Sequence, residues 1–176
     1  MKFVIVGCGR VGAALAEAFD NGGHEVVVLD TSTRAFDRLS EEFKGQAIRG
    51  DGTDEDVLRK AGVEGADILL ALTEGDNRNV MAAQVGMEKL AVGRTIAKIN
   101  DPVRAAAYGE LGIATVCRTT MLTDAVLAYL DLGKTGMPSI IAPVPHVHED
   151  GEGPVASPVA TGATPAHAHA QSARRS

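Results

Sequence analysis

Val4-Ile5-Val6-Gly7-Cys8-Gly9-Arg10-Val11-Gly12 decides the fold of this chain. Three branched apolar residues end in glycine, two more glycines follow at intervals of two and three, and an alanine-rich amphipathic stretch begins at once. A strand that stops at a glycine turn and restarts as a helix leaves its free helical N–H groups facing one spot, which suits a phosphate. Gly7 allows the tight turn, Gly9 presents no side chain to a pyrophosphate, and Gly12 lets the helix lie close to the strand. The three glycines alone are a weak signal. They gain weight from Asp30, at the end of the next apolar run and 18 residues past Gly12, where an acid accepts hydrogen bonds from ribose hydroxyls and repels a 2′-phosphate.

Working outward, apolar runs alternate with helical periodicities. Strands are predicted at Lys2–Val6, Glu25–Leu29, Gln46–Arg49, Ile68–Leu72, Arg94–Ile99 and Ala114–Val116. Helices are predicted at Arg10–Asn21, Arg34–Phe43, Glu55–Ala61, Arg78–Glu88, Val103–Leu111 and Met121–Leu130. Six strand–helix units imply an α/β fold of Rossmann type, a doubly wound parallel six-stranded sheet of order 3-2-1-4-5-6. In such a sheet the polar clusters after successive strands share one edge. Asp30-Thr31, Gly50-Asp51-Gly52-Thr53, Thr73-Glu74-Gly75-Asp76-Asn77 and Asn100-Asp101-Pro102 are those clusters. Asp51 and Thr53 are placed for the adenine or ribose side, Thr73 and Asn77 for the other half of a ligand. Several of these residues also suit helix capping: Thr53 or Asp54, Asp76 or Asn77, and Asp101 before Pro102. Arg10 lies in a first helical turn, where a cation opposes the macrodipole, so a bound phosphate is expected to offset it.

Composition narrows the function. Net charge is −6, which disfavours a nucleic-acid surface. No apolar run is long enough for a transmembrane helix, and no secretory leader is visible, so a cytoplasmic protein is expected. Cys8 and Cys117 make neither a disulfide framework nor a metal site. Six of seven prolines and four of five histidines lie beyond residue 132, and no aromatic does. Residues 1–132 are therefore read as the nucleotide-binding domain and 133–176 as a low-complexity tail, disordered from residue 146. Met137–Val144 is the tail's one apolar stretch, able to add an extended segment to the domain or to a partner. His146-x-His148 and His167-x-His169 are attributed to chance rather than to metal binding. A dehydrogenase would need a substrate domain and an acid or base near a nicotinamide. His24, the single histidine before the tail, falls at the opposite end of its strand, so no enzyme is expected. Met121–Leu130 is apolar nearly all round, which predicts that a second subunit covers it.

Taken together, Val4–Gly12, Val28-Leu29-Asp30, Gly50-Asp51-Gly52-Thr53, Ala66-Asp67, Leu72-Thr73 with Asn77 and Asn79, and Ala97-Lys98-Ile99-Asn100-Asp101-Pro102 resemble the N-terminal domain of the TrkA/KTN family, also called RCK domains. The resemblance spans residues 1 to about 131. It implies a regulatory subunit of a bacterial potassium transporter or channel that binds NAD(H) or ATP/ADP at this edge and gates transport by conformational change. It implies no turnover; the alternative is the NAD-binding subunit of an oxidoreductase. Arg10 matches the family's arginine near the phosphates, Asp30 its ribose-binding acid and Asp51 its adenosine-side aspartate. The full expected contact set is Gly7, Cys8, Gly9, Arg10, Val11, Gly12, Asp30, Thr31, Asp51, Gly52, Thr53, Leu72, Thr73, Asn77 and Lys98. The resemblance also implies attachment at the inner face of the membrane through a transporter partner. It implies a homodimer or higher ring made by exchange of the last helix, with a second RCK subunit as a further candidate partner. Two departures stand out: no C-terminal RCK domain is expected after the last helix, and Cys117-Arg118-Thr119-Thr120 replaces the usual Pro-Glu start of that helix.

Overall fold

A computed structural model describes residues 1–142. The strands are β1 (Lys2–Val6), β2 (Glu25–Asp30), β3 (Gln46–Arg49), β4 (Ile68–Ala71), β5 (Arg94–Ile99), β6 (Ala114–Cys117) and β7 (Ile140–Ile141). The helices are α1 (Arg10–Asn21), α2 (Glu55–Lys60), α3 (Asp76–Lys89), α4 (Pro102–Glu110) and α5 (Arg118–Tyr129), with a 3-10 turn at Thr33–Arg38. The sheet order is β3-β2-β1-β4-β5-β6-β7. The first six strands are parallel in the expected order, and the described part of the sheet gains a seventh, antiparallel to β6.

Period-two alternation sorts the side chains onto two faces. Val4, Val6, Val27, Leu29, Leu69 and Ala71 point to one face and pack with Leu58, Val63 and Leu90. Phe3, Ile5, Val26, Val28 and Leu70 point to the other, against Ala13 and Ala16 of α1. Phe3 stacks on Phe19 of that helix at 4.0 Å between ring centroids. Val80, Ala83, Ala97, Ile99, Ala105 and Ile113 form a third cluster beneath α3 and α4. Each fully buried Val, Leu or Ile contributes roughly 1.5–3 kcal/mol, so an aliphatic core suffices without tryptophan.

The helix expected at Arg34–Phe43 is instead the 3-10 turn Thr33–Arg38, and this corrects the sequence reading. Its continuation is pulled away by acids of α1. Glu17 accepts from Ser40 N (2.8 Å) and Asp20 from Lys44 N (3.0 Å), so these N–H groups leave the helical ladder. The apolar stretch of Met137–Val144 supplies β7: Thr115 pairs with Ile141 and Val116 with Ile140. The region read as disordered, 146–176, and its four histidines lie outside the described residues. No helix among the described residues is long and apolar enough to cross a membrane.

Candidate functional site

The carboxyl ends of β1 to β4 frame a cleft of about 290 Å³, at the small end of the range for ligand sites. Its floor is apolar, from Val6, Leu29 and Leu72; its rim is polar. The site forms because β1 must stop where it does. Gly7 N donates to Leu29 O at 2.7 Å and Leu72 N to Val6 O at 2.8 Å, so the chain leaves the sheet between two neighbours. Gly7 then takes φ +105°, which side chains with a Cβ rarely adopt. A Cβ there would also sit 2.9 Å from Thr73 N.

Gly9 caps α1 without any side-chain hydrogen bond, leaving the N–H groups of the first turn without a partner from the cap. A Cβ on Gly9 would meet nothing within 4 Å, so the space above the loop is open to a ligand. Gly12 is buried against the loop, and a Cβ there would overlap the Gly7 carbonyl oxygen. These are the features a pyrophosphate cradle requires.

Asp30 is wired to that cradle. Its Oδ2 accepts from Cys8 N at 2.9 Å and its Oδ1 from Ser32 N at 2.9 Å. Both oxygens are thereby fixed in direction, and each keeps a lone pair able to accept from a further donor. Asp51 is similarly oriented: Oδ1 accepts from Thr53 N (3.0 Å) and Thr53 Oγ1 (2.8 Å). Those donors favour the charged form and hold its carboxyl below the usual range, with Arg78 adding a Coulombic pull. The Cys8 thiol, fully buried, is pushed up by burial and then by the Asp30 carboxylate, against which Arg38 acts.

On the β4 side, Asn79 is fully buried and uses all four of its hydrogen-bonding positions. Its Oδ1 accepts from Thr73 N (2.8 Å) and Thr73 Oγ1 (2.7 Å). Its Nδ2 donates to Thr73 O (3.0 Å) and Lys98 O (2.8 Å). Thr73 is therefore locked against the cleft from behind. Next to it, Asp76 accepts from Asn100 N (2.9 Å) and Asn100 Nδ2 (2.7 Å), tying the β4–α3 loop to the β5–α4 loop. Of the residues suited to capping, Asp54 and Asp101 cap α2 and α4, whereas Gly75 caps α3 without a side-chain bond.

Nine of the expected contact residues line the cleft: Gly7, Cys8, Gly9, Asp30, Thr31, Asp51, Gly52, Leu72 and Thr73. The others lie around it. Gly12 supports the loop from below, and Thr53 holds Asp51. Arg10, Val11 and Asn77 are exposed and do not line the cleft. Lys98 is buried on β5, where burial pulls its ammonium's pKa down; Glu74 counteracts, Arg118 adds to the fall, and Asp76 opposes it. Two lining cations were not foreseen, Arg38 and Arg78. Arg38 escaped because the 3-10 turn replaces the expected helix. Arg78 had a signal: it sits in the first turn of α3, where the macrodipole argument used for Arg10 applies equally.

Comparison with known proteins adds a second line of evidence. A model of the TrkA-N domain family matches residues 3–119. The chain is 45% identical over 130 residues to the Trk system potassium uptake protein TrkA of Streptomyces coelicolor, covering 74% of this chain and 58% of that protein. It is 32% identical over 111 residues to a TrkA homolog of Pyrococcus abyssi, covering 63% of this chain and 49% of that protein. The chain thus spans about half the length of these curated relatives. Among solved structures, the TrkA-N domain of the inner membrane protein ybaL from Escherichia coli superimposes with TM-score 0.65 at 24% identity, covering 73% of this chain and 96% of that one. The GsuK channel bound to NAD superimposes with TM-score 0.59 at 21% identity, over 72% of this chain and 23% of that one. Both likenesses establish the fold.

Proposed function

The chain belongs to the TrkA-N domain family, and from that premise we propose that it is a nucleotide-sensing regulatory subunit of a potassium transporter or channel, without turnover of its own. The observation that carries this reading is the cleft itself: a glycine cradle with an oriented carboxylate on each side of its adenosine half, Asp30 and Asp51. The ligand is an adenine nucleotide, NAD(H) or ATP/ADP, with its ribose on Asp30 and its phosphates over Gly7–Gly9 and the first turn of α1. Thr31, Gly52, Leu72 and Thr73 complete the walls. Relatives named for potassium uptake and a structural neighbour solved with NAD support this assignment.

Sensing requires that the ligand bind one conformation of an assembly better than another. The surface for that assembly is α5. Among its residues only Thr120 is buried, while Leu122, Val126 and Tyr129 are 66%, 51% and 87% exposed. A second copy of the chain covers this helix, and ligand-dependent changes at the cleft pass to the membrane partner through that contact. The protein acts from the cytoplasmic face of the membrane.

An oxidoreductase subunit is the competing reading. His24 is the one histidine among the described residues, and it lies beside Phe3 (5.1 Å between rings) at the amino end of β2, away from the cleft. Titration calorimetry with ATP, ADP, NAD and NADH tests the sensing reading. Binding below about millimolar, together with altered ion flux in the reconstituted transporter, is expected. No binding by any of the four refutes sensing, and hydride transfer with a partner would establish the alternative.

A further inference from the structure

Of the two cations lining the cleft, Arg38 is anchored to its own turn, donating from Nη1 to Ala35 O at 3.3 Å. Arg78 is not anchored. Among the described residues it makes no ion pair and no side-chain hydrogen bond, although it is a long, exposed cation on the cleft's β4 wall beside Thr73 and Glu74. It occupies the first turn of α3, where its charge faces the positive end of the helix dipole. A cation held there with no ion pair among the described residues keeps its guanidinium donors free for an anionic ligand.

The direction of the cleft says what that ligand is. A nucleotide whose ribose rests on Asp30 runs its phosphates across Gly7 and Gly9, from the β2 side toward the β4 side. The first phosphate meets the loop, and those further from the sugar arrive at the wall made by Thr73, Glu74 and Arg78. Glu74 is exposed there and repels them, so Arg78 is the lining cation that offsets that repulsion on the β4 side. Arg78 and Asp51 both line the cleft, and the guanidinium's charge is the weakest of the influences on that carboxyl. The exposed Arg10 lies outside the lining.

We infer that Arg78 is the specificity-determining residue through which the cleft counts the phosphates of its ligand, favouring nucleotides with more phosphate beyond the first. The inference rests on the nucleotide reading above and deepens it. A guanidinium forms charge-assisted, bidentate bonds to phosphate, whereas adenosine and the first phosphate are held by Asp30, Asp51 and the loop.

The test is an affinity ladder of AMP, ADP and ATP, read by calorimetry on the full chain and on Arg78→Gln, Arg78→Lys and Lys60→Gln. Lys60, exposed on α2, controls for net charge. The parent and Lys60→Gln should tighten from AMP to ATP alike. Arg78→Gln should leave AMP unchanged and lower the ATP-to-AMP affinity ratio on the order of tenfold, the usual size of a hydrogen bond to a charged group. Arg78→Lys should keep part of the ladder and lose its bidentate share. Equal weakening of all three ligands by Arg78→Gln would place the residue on the adenosine and overturn the inference, as would an unchanged ladder. If the parent binds none of the three, this inference is overturned, and the nucleotide reading falls with it only if NAD and NADH fail to bind as well. Matched melting curves for the variants exclude loss of fold as the source of any change.

Discussion

Replacing Asn79 by alanine should cost this domain about 3–4 kcal/mol, and the sum can be followed bond by bond. The side chain makes four hydrogen bonds, three of them to backbone groups, from a fully buried position. Alanine leaves the Thr73 N–H without its acceptor, at about 1–3 kcal/mol for an unmade buried bond. The carbonyls of Thr73 and Lys98 lose a donor at lower cost, since an acceptor with two lone pairs is more readily satisfied. The vacated amide volume adds on the order of 1 kcal/mol. For a domain of this size that total lowers Tm by about 10 °C. Circular dichroism melts and urea titrations of parent and Asn79→Ala measure it, and a loss below about 1 kcal/mol would refute the reasoning. Asn79→Asp sharpens the test. It keeps the oxygen that accepts from Thr73 and sets a second oxygen against two carbonyl oxygens. That repulsion raises the folded-state pKa of the new carboxyl, so the protonated fold is favoured below the ordinary aspartate range and the benefit is lost as pH rises through the raised value. The stability gap to the parent should therefore be smaller at pH 4 than at pH 7; a gap that shrinks with rising pH would show that the second oxygen does not face those carbonyls.

Other expectations are more direct. Gly12→Ala forces α1 away from the loop because the added Cβ overlaps the Gly7 carbonyl oxygen; a loss of about 1–3 kcal/mol and a loss of nucleotide binding are expected, and an unshifted melting curve would contradict the packing described. The lowered pKa of Lys98 means that, between its folded value and the ordinary lysine value, the unfolded chain holds a proton that the folded chain has released. In that alkaline window this group's contribution makes stability rise with pH, and Lys98→Met should remove it in urea titrations at stepped pH. Val126→Asp places a charge on the exposed face of α5; light scattering should show a smaller oligomer than the parent with an unchanged far-ultraviolet spectrum.

Much of this was legible because the governing interactions are local. Val4–Gly12 reports its own geometry: the strand, the positive φ at Gly7 and the start of α1 follow from residues adjacent in sequence. The buried parallel strands read as apolar runs for the same reason. Where the reading failed, the deciding partner was distant. The stretch after Arg38 has helical periodicity, but Glu17 and Asp20, more than twenty residues upstream, take its N–H groups. Asn79 enters the sequence reading only as part of a family motif with no structural role assigned, and its four bonds exist only once β4 and β5 are neighbours. Arg10 and Arg78 present the same local signal, a cation in a first helical turn. The structure separates them by which one reaches the cleft lining.

The excursion between β6 and β7 has a consequence of another kind. Residues 118–139 leave the sheet and return to its edge, where Cys117 N bonds Ser139 O at 2.8 Å, with all of α5 in between. Both feet of this arm stand on the same strand edge, so a change in its length is felt mainly as closure entropy, which grows by only about 0.6 kcal/mol per doubling. The arm is therefore a cassette. Its exposed apolar face can be rewritten without touching the glycine loop, Asp30 or Asp51, which stand at the ends of other strands.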